Sequence, residues 1–311
     1  MTEPVGVDAG HGYTKAMRLN GGRALFPSLI CPAPATVDLG EFGTQTAPTQ
    51  INDKLYLVGE AARRHATPLW DRNKAADQDT AYLIMVAAAQ LGLSGPLRLA
   101  TGLPLSWWGT QRREFKAALQ GQDARVTIPG RAPTRVWLEE VLILPQGVAA
   151  AGPILAQPQY TAGPYLVVDW GERTTEYIIV VKKADGRLDF DQAAAGSLEL
   201  GCHAIATAMA AQLTAQYQTP FQAAVLESAD VVAVRGQRID LTPLRQEAQQ
   251  AVTRRLARAL HEALNQQLEQ VLGIVAVGGG SPLLAGALPA VIQPPDAQWA
   301  NALGYLGSVA S

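Results

Sequence analysis

The chain has 311 residues, 48% of them hydrophobic, and a formal net charge of −2 at pH 7. That length suits two domains, or one α/β unit with lobes, around a sizeable core. The near-neutral charge gives no electrostatic case for direct binding of nucleic acid.

The two cysteines, Cys31 and Cys202, lie far apart with no CxxC pairing, which reads as reduced thiols in a cytosolic protein. The four histidines, His11, His65, His203 and His261, form no HExxH-like pair, so spacing predicts no histidine metal ligand. The N-terminus lacks a basic region followed by an apolar one, and the longest apolar stretch, AYLIMVAAAQLGL from Ala81, is too short for a bilayer. No cationic amphipathic helix closes the chain. The expectation is a soluble, cytoplasmic protein with no membrane partner.

In chain order, the first informative stretch is VGVDAGHGYTK, Val5 to Lys15: an apolar strand, Asp8, then Gly10 and Gly12 around His11. Glycine permits positive φ and close approach to the bare backbone. An ordinary hairpin needs one such residue, so two beside an acid and a lysine raise the alternative of an anion-holding turn. This stretch by itself leaves both readings open.

Half a chain later, YLVVDWGERTTEYIIV from Tyr165 repeats the pattern of β-rich run, Asp, any residue, Gly, three residues, Thr. Asp8, Gly10 and Thr14 correspond to Asp169, Gly171 and Thr175. A second β-capable run follows each turn, which predicts two strand–turn–strand hairpins and a duplicated α/β scaffold with a cleft between its halves. Next, LTPLRQEAQQAVTRRLARALHEALNQQLEQVLG has apolar residues at helical spacing and predicts one long amphipathic helix, with Pro243 in its first turn and Gly273 at its end. Its arginines read as a solvated face. GIVAVGGGSPLL, Gly273 to Leu284, predicts a buried strand, a glycine turn and a helix begun by Pro282. Taken alone, Gly278, Gly279 and Gly280 read first as a tight strand-to-helix connection. The other reading is a bare backbone on which a flat ring lies.

In order, the three glycine stretches resemble the first phosphate, second phosphate and adenosine loops of the actin superfamily, which unites actins, heat-shock chaperones, sugar kinases and bacterial cytoskeletal ATPases. ILPQGVAAAGPILA resembles the first connecting helix of that fold, and NALGYLGSVA the second. LFPSLI, YLVGEAARR, DQDTAYLIMVAAA, LATGLPLSWW, GSLELGCHAIATAM and WANALGYLGSVA, each in its expected place, are similar to the plasmid-segregation actins of the ParM and Alp group.

The resemblance implies an α/β, duplicated actin-like (ribonuclease H-like) ATPase fold of two lobes with a nucleotide cleft between them. The first lobe takes residues 1–164, with a small insert at about 33–70 that opens in a Pro-, Thr- and Gly-rich segment. The helix at 297–311 packs back on that lobe. The second lobe takes 165–296, with a smaller subdomain at about 203–270.

The resemblance also implies a site. Gly10, His11, Gly12, Tyr13 and Thr14 cradle the β-phosphate with Lys15 as countercharge, because a glycine hairpin offers inward N–H groups. Gly171, Glu172, Arg173, Thr174 and Thr175 close on the γ-phosphate, and Gly278, Gly279 and Gly280 take the adenosine. Asp8 and Asp169 hold Mg²⁺ through water, since carboxylates repel phosphate and suit magnesium. Gln146 orients the attacking water, with Asp169 as its catalytic companion. The second loop departs from the glycine-rich pattern at Glu172 and Arg173. Arg173 either contacts the γ-phosphate or points outward, and both readings stay open.

The implied cofactors are ATP, with GTP as the other triphosphate, and Mg²⁺. The implied function is an ATP-dependent, head-to-tail filament that segregates plasmid DNA through a DNA-binding adaptor and disassembles after hydrolysis. A sugar or small-acid kinase on the same superfold is the alternative. LATGLPLSWWG carries none of the acidic residues such a kinase needs there, and no sugar motif stands out.

Overall fold

The computed structural model describes residues 2–34, 47–66, 74 and 77–310. Of the insert placed at about 33–70, residues 35–46 and 67–70 lie outside the described residues. The chain divides into two compact units, Met1–Pro153 with Trp299–Ser311, and Ile154–Gln298.

The first unit opens with β1 (Glu3–Ala9), β2 (Tyr13–Arg18) and β3 (Arg23–Pro27), then β4 (Ile30–Pro32), β5 (Thr49–Ile51) and β6 (Lys54–Val58). It continues through α1 (Gln78–Gln90), β7 (Gly95–Leu103), α2 (Leu105–Leu119), β8 (Asp123–Thr127) and β9 (Thr134–Pro145) to α3 (Val148–Leu155), which spans the division at Pro153. Among the described residues its strands form one sheet, in the order β3-β2-β1-β7-β9-β8-β5-β6-β4. β1, β2 and β3 pair antiparallel, whereas β1, β7 and β9 run parallel.

The apolar stretch from Ala81 runs through α1 and three residues past its end, and the helix residues from Thr80 to Ala89 are buried with the single exception of the half-buried Tyr82. Asp77 caps the helix, accepting from the Asp79 N–H at 3.1 Å and the Thr80 hydroxyl at 2.7 Å. This helix is apolar almost all round because it fills a core. No described helix is long and apolar enough to cross a membrane.

The second unit carries β10 (Gly163–Trp170), β11 (Thr175–Lys182), β12 (Leu188–Leu198), α4 (His203–Tyr217), α5 (Ala223–Leu226), β13 (Val231–Val234), β14 (Gln237–Asp240), α6 (Thr242–Leu264), α7 (Gln266–Glu269), β15 (Ile274–Val277) and β16 (Val291–Ile292). Its main sheet runs β12-β11-β10-β15-β16, while β13 and β14 form a separate hairpin. β10, β11 and β12 pair antiparallel, and β10, β15 and β16 parallel. This is the arrangement of β3-β2-β1-β7-β9 built a second time. The duplication read from a seven-residue motif therefore extends over five strands of each unit.

Two expected helices come out shorter. The amphipathic helix predicted as far as Gly273 ends at Leu264, because Asn265 takes a left-handed φ of 47° that interrupts the backbone before α7. Pro243 does lie in its first turn, and Ala248, Val252, Leu256, Leu260 and Leu264 form its buried stripe. After β15, Pro282 starts only a single 3-10 turn, Ser281–Leu284, in place of an α-helix.

The last helix, α8 (Ala300–Val309), belongs to the first unit and packs on β1 and β7. Its approach is so close that a Cβ on Gly6 of β1 would meet the Ala302 carbonyl and the Leu306 backbone, and one on Gly102 of β7 the Tyr305 phenol. On the helix itself, a Cβ on Gly304 would meet the Ala149 carbonyl.

Candidate functional site

In each unit the predicted residues gather at the carboxyl ends of the parallel strands, where open α/β sheets hold their ligands. The two hairpins are matched in detail. Ala9 pairs with Thr14 and Trp170 with Thr175, so each encloses four residues, 10–13 and 171–174. Neither Gly10 nor Gly171 takes a positive φ. What favours glycine is close approach: a Cβ would lie 3.1 Å from the Tyr13 carbonyl oxygen in one turn and 3.1 Å from that of Thr174 in the other. The Gly171 N–H donates to that Thr174 carbonyl at 3.0 Å.

In the first unit Asp8, 4% exposed, is the last residue but one of β1, opposite Lys15. The Lys15 ammonium donates to its Oδ2 at 3.0 Å, and the Gln146 amide donates to its Oδ1 at 3.3 Å. Gln146 sits between the end of β9 and the start of α3, its N–H bonded to the Leu103 carbonyl at 2.9 Å. Lys15, expected as countercharge for phosphate, thus faces a carboxylate. Thr14 is fully buried, its hydroxyl 2.8 Å from that of Ser28. His11 stands edge-on to the Trp107 ring at 5.7 Å, Gly12 accepts from the Ser28 N–H through its carbonyl, and Tyr13 is exposed.

Lys74 was not found from the sequence. It is 5% exposed and donates to the Ala9 carbonyl at 2.6 Å, directly behind the first turn. Burial pushes its ammonium down to about 8; the carboxylates of Asp8 and Asp77 oppose that fall, and Lys15 adds to it. No motif surrounds this lysine, so only its three-dimensional placement reveals it.

In the second unit Asp169, 6% exposed, is the last residue but one of β10. Its cross-strand partner is Glu176, 2% exposed, which accepts the Ser197 hydroxyl at 2.6 Å. Cross-strand partners leave the same face of a sheet, so two buried carboxyl groups share that face. Thr175 donates its hydroxyl to the Leu200 carbonyl at 2.6 Å, which leaves its backbone as what it offers a ligand. Glu172, Arg173 and Thr174 are half-buried in the turn. The N–H groups of Cys202 and His203 donate to the Gly171 and Glu172 carbonyls at 3.0 and 2.9 Å and brace it.

The three consecutive glycines have different reasons. Gly278, at φ 85°, lies against the Asp169 carboxylate and the Trp170 carbonyl, and Gly280 against the Trp170 ring and Cys202 Sγ. Gly279 alone is exposed, with nothing within 4 Å of where a Cβ would point. Close packing of the protein on itself accounts for two of the three.

Burial, reinforced by the Glu172 carboxylate, pushes the Cys202 thiol up from 9.0 to about 12. That rise lowers the thiolate fraction at pH 8 about 1000-fold, and the thiolate is the nucleophile. Iodoacetamide is therefore expected to leave Cys202 unmodified in the native protein and to alkylate it readily in urea, as peptide mass mapping would show.

The geometry agrees with what comparison of the chain finds. Residues 6–148 match the family model for the N-terminal domain of actin-like proteins, and residues 167–290 the model for the C-terminal domain of the archaeal, MreB-like actin homologue. Each half of the chain thus matches a model of an actin-like domain, consistent with an actin-like protein of the ParM and Alp type. An archaeal actin homologue of Thermoplasma acidophilum is 25% identical over 97% of this chain and 97% of its own. Among solved structures, the subunit of a 15-stranded ParM filament from Clostridium botulinum superposes with a TM-score of 0.85 at 20% identity, over 99% of this chain and 98% of that one. An archaeal actin homologue in complex with ADP gives 0.78 at 23% identity, over 99% of both chains. The actin-like fold implied by the glycine stretches is thus the fold observed.

Proposed function

We propose that this actin-like protein is a nucleoside triphosphatase whose nucleotide state controls its assembly into a head-to-tail filament. The observation that carries this reading is the doubled constellation: in each unit a buried aspartate lies one residue before the end of the first strand, and a turn follows whose glycine sits equally close to the carbonyl three residues on. The turn at 10–14 takes the β-phosphate and the turn at 171–175 the γ-phosphate. Exposed Gly279 supplies the bare backbone for the base.

The residues fit a magnesium ion. Asp169 and Glu176 leave one face together, both buried, an arrangement that a hard cation stabilises and that oxygen ligands suit. Asp8 and Asp169 would hold it through water, and bound magnesium supplies charge neutralisation at the phosphates. Gln146, whose amide donates to Asp8, would orient the water without removing its proton, a role its neutral amide supports. The complex of one relative with ADP and the filament formed by another support nucleotide binding and self-assembly. ATP is the favoured triphosphate, with GTP as the other. A heterologous, non-closing contact between copies produces filaments. The cargo of such a filament is plasmid DNA, joined through a DNA-binding adaptor, in keeping with the near-neutral charge.

Light scattering tests the reading. With Mg²⁺ and ATP the signal is expected to rise and then decay as phosphate is released, and with ADP or no nucleotide to stay flat. Scattering indifferent to nucleotide would overturn it. Phosphorylation of a sugar in place of assembly would establish the kinase.

A further inference from the structure

Outside the nucleotide residues, the second unit brings together three side chains that lie far apart in sequence: Glu172 in the β10–β11 turn, His203 at the start of α4 and Glu227 just after α5. We propose that Glu172, His203 and Glu227 form a site for a borderline divalent transition-metal ion of the Zn²⁺ class, distinct from the magnesium site proposed at Asp8 and Asp169.

The geometry is close to that of a bound ion. Two ligand atoms about 2.1 Å from a common tetrahedral ion stand about 3.4 Å apart. His203 Nδ1 lies 2.8 Å from Glu227 Oε1 and 3.9 Å from Glu172 Oε1, on either side of that separation. One ligand atom from each of the three residues falls within 4.8 Å of the others. An ion held by all three would draw His203 Nδ1 and Glu227 Oε1 apart and His203 Nδ1 and Glu172 Oε1 together, with a fourth position for water.

The backbones beneath these side chains are already held. The His203 N–H donates to the Glu172 carbonyl at 2.9 Å, and Gly201 lies so close to that carbonyl that no Cβ fits there. Arg245 of α6 donates to the Leu226 and Glu227 carbonyls, each at 3.1 Å, and also to that of Ala229, which fixes the end of α5. A site whose supporting contacts exist beforehand loses little freedom when the ion enters. The donor set selects the ion class. An imidazole nitrogen with two carboxylates suits Zn²⁺ or Co²⁺, whereas Mg²⁺ prefers oxygen and keeps its water. The side chains are 21 to 34% exposed, so an ion in solution can reach them.

Glu172 belongs to the turn assigned above to the γ-phosphate. An ion held there would restrain that turn and slow nucleotide turnover, a consequence that rests on the proposed function although the site does not.

The test uses the full chain, stripped with EDTA, desalted and titrated with CoCl₂ in the absence of nucleotide. One equivalent of Co²⁺ is expected to develop visible d–d absorption, which Zn²⁺ displaces and a large excess of Mg²⁺ does not. His203→Asn and Glu227→Gln should each weaken binding by at least about tenfold, since loss of a supporting partner alone costs about that much. Their urea midpoints report that they remain folded. Asp169→Asn should keep the band. Absence of a band in the wild-type chain, its survival in His203→Asn, its loss in Asp169→Asn or displacement by Mg²⁺ would each overturn the assignment. None of these readouts depends on whether the chain hydrolyses ATP, so failure of the metal site and failure of the ATPase reading are told apart.

Discussion

Asp169→Asn is expected to leave the protein folded and to lower ATP hydrolysis by about 100-fold or more, the scale on which one preorganised electrostatic contact acts. The substitution keeps the shape of the side chain and removes its charge. Asp169 is 6% exposed, and Gly278 presses on its carboxylate so tightly that no Cβ could be accommodated. The amide therefore stays where the carboxylate was, and the change reports on charge rather than on repacking. Gln146→Ala, which removes the amide beside Asp8, should lower the rate on a comparable scale of about 100-fold through loss of positioning. Phosphate release, followed alongside the urea midpoint, measures both. Hydrolysis at the wild-type rate in Asp169→Asn would remove this residue from the proposed chemistry, and the same result in Gln146→Ala would remove the water-orienting role.

The largest expected effect on stability concerns α8. Gly304→Ala should destabilise the protein by about 3 kcal/mol or more, the upper range for forcing a methyl group into a filled core. The added carbon would meet the Ala149 carbonyl, and backbone cannot move aside as a flexible side chain can. Gly307, three residues on in the same helix, is exposed with nothing within 4 Å of its missing Cβ. There the helix preference of alanine acts alone, and Gly307→Ala should gain about 0.5–1 kcal/mol. Urea denaturation of the pair gives shifts of opposite sign. Equal effects would show that α8 does not bear on β1 and α3 as closely as the contacts indicate.

Much of this architecture was legible in the sequence because it depends on local backbone requirements. Asp8, Gly10 and Thr14 recur as Asp169, Gly171 and Thr175 because both turns favour a residue without a side chain against the carbonyl three positions on, and both need a buried threonine. Where local signals competed, reading by pattern went astray. The apolar periodicity of α6 continues past Leu264, but Asn265 takes a positive φ that apolar spacing does not register. Gly278, Gly279 and Gly280 read first as a tight strand-to-helix connection, and the neighbours that Gly278 and Gly280 meet there, Asp169, Trp170 and Cys202, arrive from other elements. Lys74 had no motif, and His203 had no metal-ligand spacing around it. A cation behind the first turn and an imidazole between two glutamates are relations among segments separated by dozens of residues.

The amino-acid order alone determined the twofold α/β plan and the glycine turns, since hydrophobic runs and φ/ψ requirements act over a few residues and are written along the chain. Tertiary structure decided which partners those residues meet: Lys15 on Asp8, Glu176 beside Asp169, His203 between Glu172 and Glu227. Electrostatics and metal ligation depend on distances through space, and strand pairing and helix packing set those distances only once the chain has folded.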